Sequence, residues 1–227
     1  VAVSLASPEL VVKPFEFPKM PRRELARAIR LEAEQAVLNG HSLDEMATDW
    51  QVLPSAPGEP IRGVLSIVSH TMLHARLDAA RQAGLAPRVA DVEALAVWNA
   101  WWTWSGHRGA AGRTMLVMNI GAKTTNVVIA VPPDRLLLVR DLQLGAEQFG
   151  TEAEGEWVME LRDSLAYARS SAGLRELDAI VLTGGGAVDG RSAALVQRLA
   201  GGVPVERWNP CADLACDEGC PPVGDAE

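Results

Sequence analysis

The sequence has no excess of basic residues: 21 Lys and Arg stand against 29 Asp and Glu, giving a net charge of −8 and a pI near 5.1. That excludes nucleic acid as the main partner, because a phosphate backbone calls for a basic surface. A long uninterrupted apolar run is also missing. The most apolar helical stretch, Ala94 to Trp104, is too short to span a bilayer and contains Asn99. No signal peptide is visible, since Glu9 and Lys13 break the only apolar stretch near the start. With Val1 where an initiator Met would stand, the expectation is a cytosolic piece whose beginning has been lost. Cysteine is scarce, and Cys211, Cys216 and Cys220 crowd into the end of the chain beside Asp217 and Glu218. Their spacing matches none of the usual zinc patterns and reads as free thiols in a solvated tail. Finally, no Ser/His/Asp or Cys/His arrangement stands out, and no phosphate loop ends in Gly-Lys-Ser/Thr.

What is present is a globular composition, 48% hydrophobic and 22% charged, with enough chain for one sizeable core or two lobes. The chain is organised around Thr114 to Val131. Thr114 to Ile120 is apolar, Thr124 to Val131 is β-branched at almost every position, and Pro132-Pro133-Asp134 ends the second run. Two strands joined at Gly121-Ala122-Lys123 are predicted, with Gly121 free to take a positive φ. Such a turn shows backbone N–H groups to solvent, and hydroxyls on Thr124 and Thr125 add donors. Together these could cradle a phosphate. An ordinary core hairpin with a glycine turn has the same pattern.

Before the hairpin, Val1 to Phe17 alternates as two short strands would, and Arg22 to Leu38 is helical. Leu25, Ile29, Ala33, Ala36 and Val37 fall on one face of that helix, while Arg23, Arg27, Arg30 and Glu34 form a solvated one. Pro21 suits its first turn and Asn39-Gly40 its stop. Strands are expected at Trp50 to Leu53, Ile61 to Ser69 and Arg88 to Asp91. Helices are expected at Thr71 to Ala83, ending in a left-handed cap at Gly84, and at Val92 to Trp104. His70 and His74 lie one turn apart with no third ligand nearby and read as a partly exposed pair. Trp98, Trp101, Trp102 and Trp104 could form a docking surface but more simply form core. The Gly-rich Ser105 to Arg113 is the best domain boundary, dividing the chain into 1–105 and 106–227.

After the hairpin, Leu136 to Leu142 makes a third strand. A helix beginning near Gly145 should break at Gly150 and Gly155, and a long helix should follow over Glu156 to Ser171. Ala179 to Thr183 then runs into Gly184-Gly185-Gly186, a glycine turn before a helix that suits close approach of backbone to a ligand. A last strand is predicted at Val203 to Val205, with poor order from about residue 209.

Several segments in this order carry a resemblance: Val89-Ala-Asp-Val-Glu-Ala-Leu-Ala96, Asn119-Ile-Gly-Ala-Lys-Thr-Thr125 and Val139-Arg-Asp-Leu-Gln-Leu-Gly145. Glu160 to Tyr167, Ile180 to Ala187, the entry segment Phe17 to Gln35 and the close Val203 to Pro210 complete it. Together they resemble the type IV pilus assembly protein PilM family, related to the cell-division protein FtsA. The resemblance implies an α/β, two-lobed actin-like fold (ASKHA, ribonuclease-H-like), here in part, with ATP and Mg²⁺ between the lobes. Nucleotide-binding residues implied are Asn119, Gly121, Ala122, Lys123, Thr124 and Thr125 in the second phosphate hairpin, and Gly184, Gly185 and Gly186 beside the adenosine. It further implies a cytoplasmic adaptor, peripheral to the bacterial inner membrane and not inserted in it. Its partners would be the N-terminal peptide of a PilN-like membrane protein and other pilus assembly platform proteins. Turnover is not the expected job.

The chain departs from the family pattern at named points. The family's first phosphate hairpin lies upstream of Val1, the stretch between Phe149 and Trp157 is short, and the chain stops before the family's last helix. Asn119 replaces an Asp whose carboxylate would organise Mg²⁺ and its water. ATP binding is therefore expected to be weak or absent. Two other readings share the fold: the cytoplasmic domain of a type II secretion L-type protein, and a sugar- or acetate-kinase-like enzyme. The second would need a catalytic Asp near the cleft.

Overall fold

The computed structural model describes residues 1–7, 9–37, 42–104, 109–188 and 190–211. The helix stop expected at Asn39-Gly40, loop residues 105–108, and Cys216 and Cys220 lie outside them. Ten strands and five α-helices are described: β1 (Ala2–Leu5), β2 (Val11–Phe17), α1 (Arg22–Ala36), β3 (Met46–Val52), β4 (Ile61–Ser69), α2 (His70–Gln82), β5 (Val89–Val92), α3 (Glu93–Trp104), β6 (Met115–Ile120), β7 (Thr125–Val131), β8 (Arg135–Leu142), α4 (Glu154–Ser171), β9 (Ala179–Thr183), α5 (Arg191–Ala200) and β10 (Val205–Arg207).

The largest sheet has five strands in the order β10-β9-β6-β7-β8. The meander β6-β7-β8 is antiparallel, and β9 joins β6 in parallel. β6, β7 and β9 are buried on both faces, which is why they read as continuous apolar runs without alternation. One face packs on α4 and α5 through Trp157, Leu161 and Leu195. The other packs on α3, where Trp98 and Trp101 meet Met115, Val117 and Val128. Trp98 and Trp101 are thus core, 5% and 3% exposed, with Trp102 partly buried against them. This second core runs continuously across the expected boundary near residue 105.

A three-stranded antiparallel sheet, β2-β4-β3, carries α1 on one face. Leu25, Ile29 and Ala33 supply the buried stripe, as their spacing predicts. β1 and β5 form a separate parallel pair. α2 starts at a Ser69 cap, with the Ser69 hydroxyl accepting from the Met72 amide. It ends in the expected left-handed glycine: Gly84 has φ 75°, and the Leu85 amide returns to the Ala80 carbonyl.

Several expectations are corrected. β3 begins at Met46, four residues earlier than expected, because Ser42 and Glu45 cap a 3₁₀ turn that feeds straight into the strand. Gly155 lies inside α4, so it does not interrupt the helix. Only Gly150, at φ 82°, breaks the chain there. The last strand lies at Val205–Arg207, because Pro204 supplies only its carbonyl, to the Ile180 amide.

Candidate functional site

Because β6 and β9 are parallel, their C-terminal ends emerge side by side, with Asn119 level with Thr183. Ligand sites in α/β sheets gather at such an edge. Here it brings together the Gly121–Thr124 turn, the Gly184–Gly186 turn and the segment after β8. A Cβ on Gly184 would lie 2.5 Å from the Ile120 carbonyl oxygen, and one on Gly186 would lie 2.6 Å from Ile120 Cγ2. Gly184 also holds φ 87°, so glycine is required there on two counts. On the other side, the Ala146 and Glu147 amides donate to the Gly121 and Ala122 carbonyls at 2.9 Å each. A Cβ on Gly145 would meet that same Gly121 carbonyl oxygen at 2.5 Å. The turn is therefore clamped between two glycine contacts.

Gly121 itself does not take the positive φ expected of it. Its amide closes the turn onto the Thr124 carbonyl at 2.9 Å, which ordinary backbone angles allow. The amides of Ala122, Lys123 and Thr124 have no acceptor among the described residues, and Ala122 and Lys123 are exposed. With the Lys123 ammonium, which has no ion pair among the described residues, they leave three amide donors and one cation at this turn.

Two side chains expected to help do not face that tip. Thr125 is fully buried. Its hydroxyl donates to the Leu144 carbonyl at 2.9 Å and accepts from the Trp157 indole at 3.1 Å. It ties β7 to α4 and is unavailable to a ligand, because strand alternation turns it into the core. Asn119 is drawn the other way. Its Nδ2 donates to Asn126 Oδ1 at 2.7 Å and to Glu93 Oε1 at 3.3 Å, and Asn126 passes a hydrogen bond on to Asp141 Oδ1 at 2.8 Å. Its own Oδ1 faces Gly184, and a Cβ there would lie 2.4 Å from it.

This chain of amides joins two carboxylates. Burial pushes the Asp141 carboxyl above its ordinary range, opposed by the hydrogen bond from Asn126 and by the Ser7 backbone amide. Burial likewise pushes Glu93 up, and the Asp141 charge adds to it while Arg76 opposes it. Glu93, Asn126 and Asp141 were not singled out from the sequence. The available signal was one amide in the otherwise apolar β-branched run of β7, and an acid near the end of β8. Thr183 Oγ, buried at the same edge, also finds no partner among the described residues.

A second site lies on the three-stranded sheet. β3 is an edge strand, paired only with β4 among the described residues. Met46, Thr48 and Trp50 from β3 and Ile29, Ala33 and Arg30 from α1 line a groove of about 340 Å³. One edge amide, that of Trp50, is covered by the neighbouring Asp49 carboxylate at 2.8 Å. The His70 and His74 rings are 6.1 Å apart and both residues are exposed. Among the described residues no group of three His, Cys, Asp or Glu could hold a metal ion. Nor is any described helix long and apolar enough to cross a membrane.

The sequence profile of the family described as type IV pilus assembly protein PilM matches residues 1–162. Among solved structures, the PilM-PilN type IV pilus biogenesis complex is similar at 26% identity and TM-score 0.74, covering 95% of this chain and 71% of that one. A Bacteroides thetaiotaomicron protein with an actin-like ATPase fold and unknown function is similar at 13% identity and TM-score 0.53, covering 92% and 68%. That likeness speaks to the fold alone, which is actin-like. The cytoplasmic domain of EpsL, from the type II secretion system of Vibrio cholerae, scores 0.44 at 16% identity, covering 81% and 60%. Among curated proteins there is no significant match.

Proposed function

The chain belongs to the type IV pilus assembly protein PilM family, and from that premise we propose that it is a cytoplasmic adaptor whose α1–β3 groove receives an extended N-terminal peptide of a PilN-like membrane protein. The observation that carries this reading is the likeness to a PilM-PilN complex over 95% of the chain. The groove supplies a physical basis. A peptide added to the β3 edge would gain main-chain hydrogen bonds, and its alternate side chains would enter the apolar space between β3 and α1. The Asp49 carboxylate would have to release the Trp50 amide first. Affinity should be modest, because the peptide is ordered on binding. Such docking would hold the protein at the inner membrane without insertion, beside other platform proteins.

Nucleotide has a minor place in this proposal. The amides of Ala122, Lys123 and Thr124 would hold one phosphate, with Gly184 to Gly186 close by. Asn119 and Thr125 are engaged elsewhere. ATP and Mg²⁺ therefore bind weakly or not at all, and the role is structural and not enzymatic.

The test is an anisotropy titration with a labelled tail peptide from a PilN-like protein of the same genome. Saturable binding is expected. Thr48→Arg, which puts a long charged side chain at an exposed groove position, should weaken it at least about tenfold, the scale of one lost buried contact. No saturation up to millimolar peptide would overturn the proposal, and unchanged affinity in the variant would move the site off β3.

A further inference from the structure

From the charge layout of α1 we infer that its exposed face rests on an anionic lipid bilayer. α1 carries four arginines, where α2, α4 and α5 carry two each. At about 100° per residue, Arg23, Arg27 and Arg30 fall within an arc of about 60° on one flank of the helix, roughly 100–160° from the middle of the buried stripe of Leu25, Ile29 and Ala33, while Arg22 sits in the first turn nearer the stripe. All four are exposed, as is Lys19 just before the helix. Lys19, Arg22, Arg23 and Arg27 have no carboxylate partner among the described residues, and only Arg30 is paired, with Glu34 at 3.1 Å. Leu31, 55% exposed, borders the arc beside Arg27.

The charge balance selects the occupant. The five cations Lys19, Arg22, Arg23, Arg27 and Arg30 stand here against two carboxylates, Glu24 and Glu34, so this face is +3 in a chain of −8 and the remainder is −11. A planar anionic surface would repel the remainder and attract this face, orienting the molecule before contact. The face extends about 12 Å from Arg22 to Arg30, and apart from Arg30, which also borders the α1–β3 groove, it is a convex helix surface. An acidic peptide would gain little burial on it, whereas an array of headgroups meets several guanidiniums at once. Arginine suits lipid phosphate because its planar fork donates two hydrogen bonds. Leu31 would touch the acyl boundary without insertion.

Co-sedimentation with vesicles tests this, using phosphatidylcholine alone or phosphatidylcholine with 30 mol-percent, roughly a third, phosphatidylglycerol. Binding is expected only to the anionic vesicles and should fall steeply with salt. A triple variant, Arg22→Gln, Arg23→Gln and Arg27→Gln, should lose on the order of a hundredfold in partitioning, about fivefold per cation. A control with the same charge change on other helices, Arg162→Gln, Arg169→Gln and Arg198→Gln, should bind like the wild type. These positions are all exposed, so urea midpoints should match and verify the folds. Equal binding to both vesicle types, equal loss in the two triple variants, or no binding to anionic vesicles would overturn the inference. In the last case an acidic protein would be the occupant. Peptide docking in the groove is measured without vesicles, so its failure is separate from failure here.

Discussion

Asn119→Asp is the substitution on which the site geometry makes its sharpest demand. The family comparison alone would make Asp a repair, restoring a carboxylate beside phosphate and Mg²⁺. The structure requires the opposite. Among the described residues, Asn119 Nδ2 is the group that donates to both Asn126 Oδ1 at 2.7 Å and Glu93 Oε1 at 3.3 Å. A carboxylate has no proton to give, so two acceptors would face a third. If Asn126 turned to donate, its oxygen would then oppose Asp141, which now accepts from it at 2.8 Å. One neutral and one charge-assisted hydrogen bond are lost, and a like charge is added beside Glu93 in a half-buried setting. The cost should be about 2–4 kcal/mol at neutral pH. It should shrink as pH falls and one carboxyl of the new pair takes a proton. Urea denaturation at pH 7.5 and 5.5 would measure this on the wild type, on Asn119→Asp and on Asn119→Asp with Glu93→Gln. The double variant should recover part of the loss, because a glutamine can donate. Equal midpoints for wild type and Asn119→Asp at pH 7.5, or a gain in Mg²⁺-dependent ATP affinity by calorimetry, would refute the reasoning and place residue 119 against the phosphates.

Gly184→Ala should destabilise the fold by about 2–4 kcal/mol, since the added Cβ meets Asn119 Oδ1 and the Ile120 carbonyl at 2.4 and 2.5 Å on a backbone with φ 87°. Thermal unfolding reads it, and a shift of under a degree would show that the glycine turn does not pack on β6. The carboxyls of Glu93 and Asp141 are both raised above their ordinary range by burial. Their contribution to stability is therefore fully present below the unfolded-state value and is lost as pH rises through the folded-state one. Asp141→Asn, which still accepts from Asn126, should flatten that part of the stability–pH curve from about pH 4 upward. An unchanged curve would show that Asp141 does not titrate in this range.

The elements themselves were legible in the sequence, because their signals are local. α1 announces itself through Leu25, Ile29 and Ala33 at helical spacing, α2 through its stop at Gly84, and β4 through an apolar run that coincides with the observed Ile61–Ser69. The order of hairpin, third strand and triple-glycine turn was enough to point to the family. The direction of each side chain was not legible. Thr124 and Thr125 are adjacent and chemically alike, yet strand alternation and the Trp157 indole commit the second to the core. Asn119 and Asn126 face each other because β6 and β7 pair in one register and no other. Glu93 reaches them from α3, 26 residues away in sequence. Gly121 was expected to need a left-handed backbone, but the stringent glycines are Gly145 and Gly184, whose Cβ positions are filled by parts of the chain that only folding brings near. Periodicity and turn chemistry act over a few residues and so survive in the sequence. Which donors remain free for a ligand depends on contacts across the sheet, and these were decided by the tertiary structure.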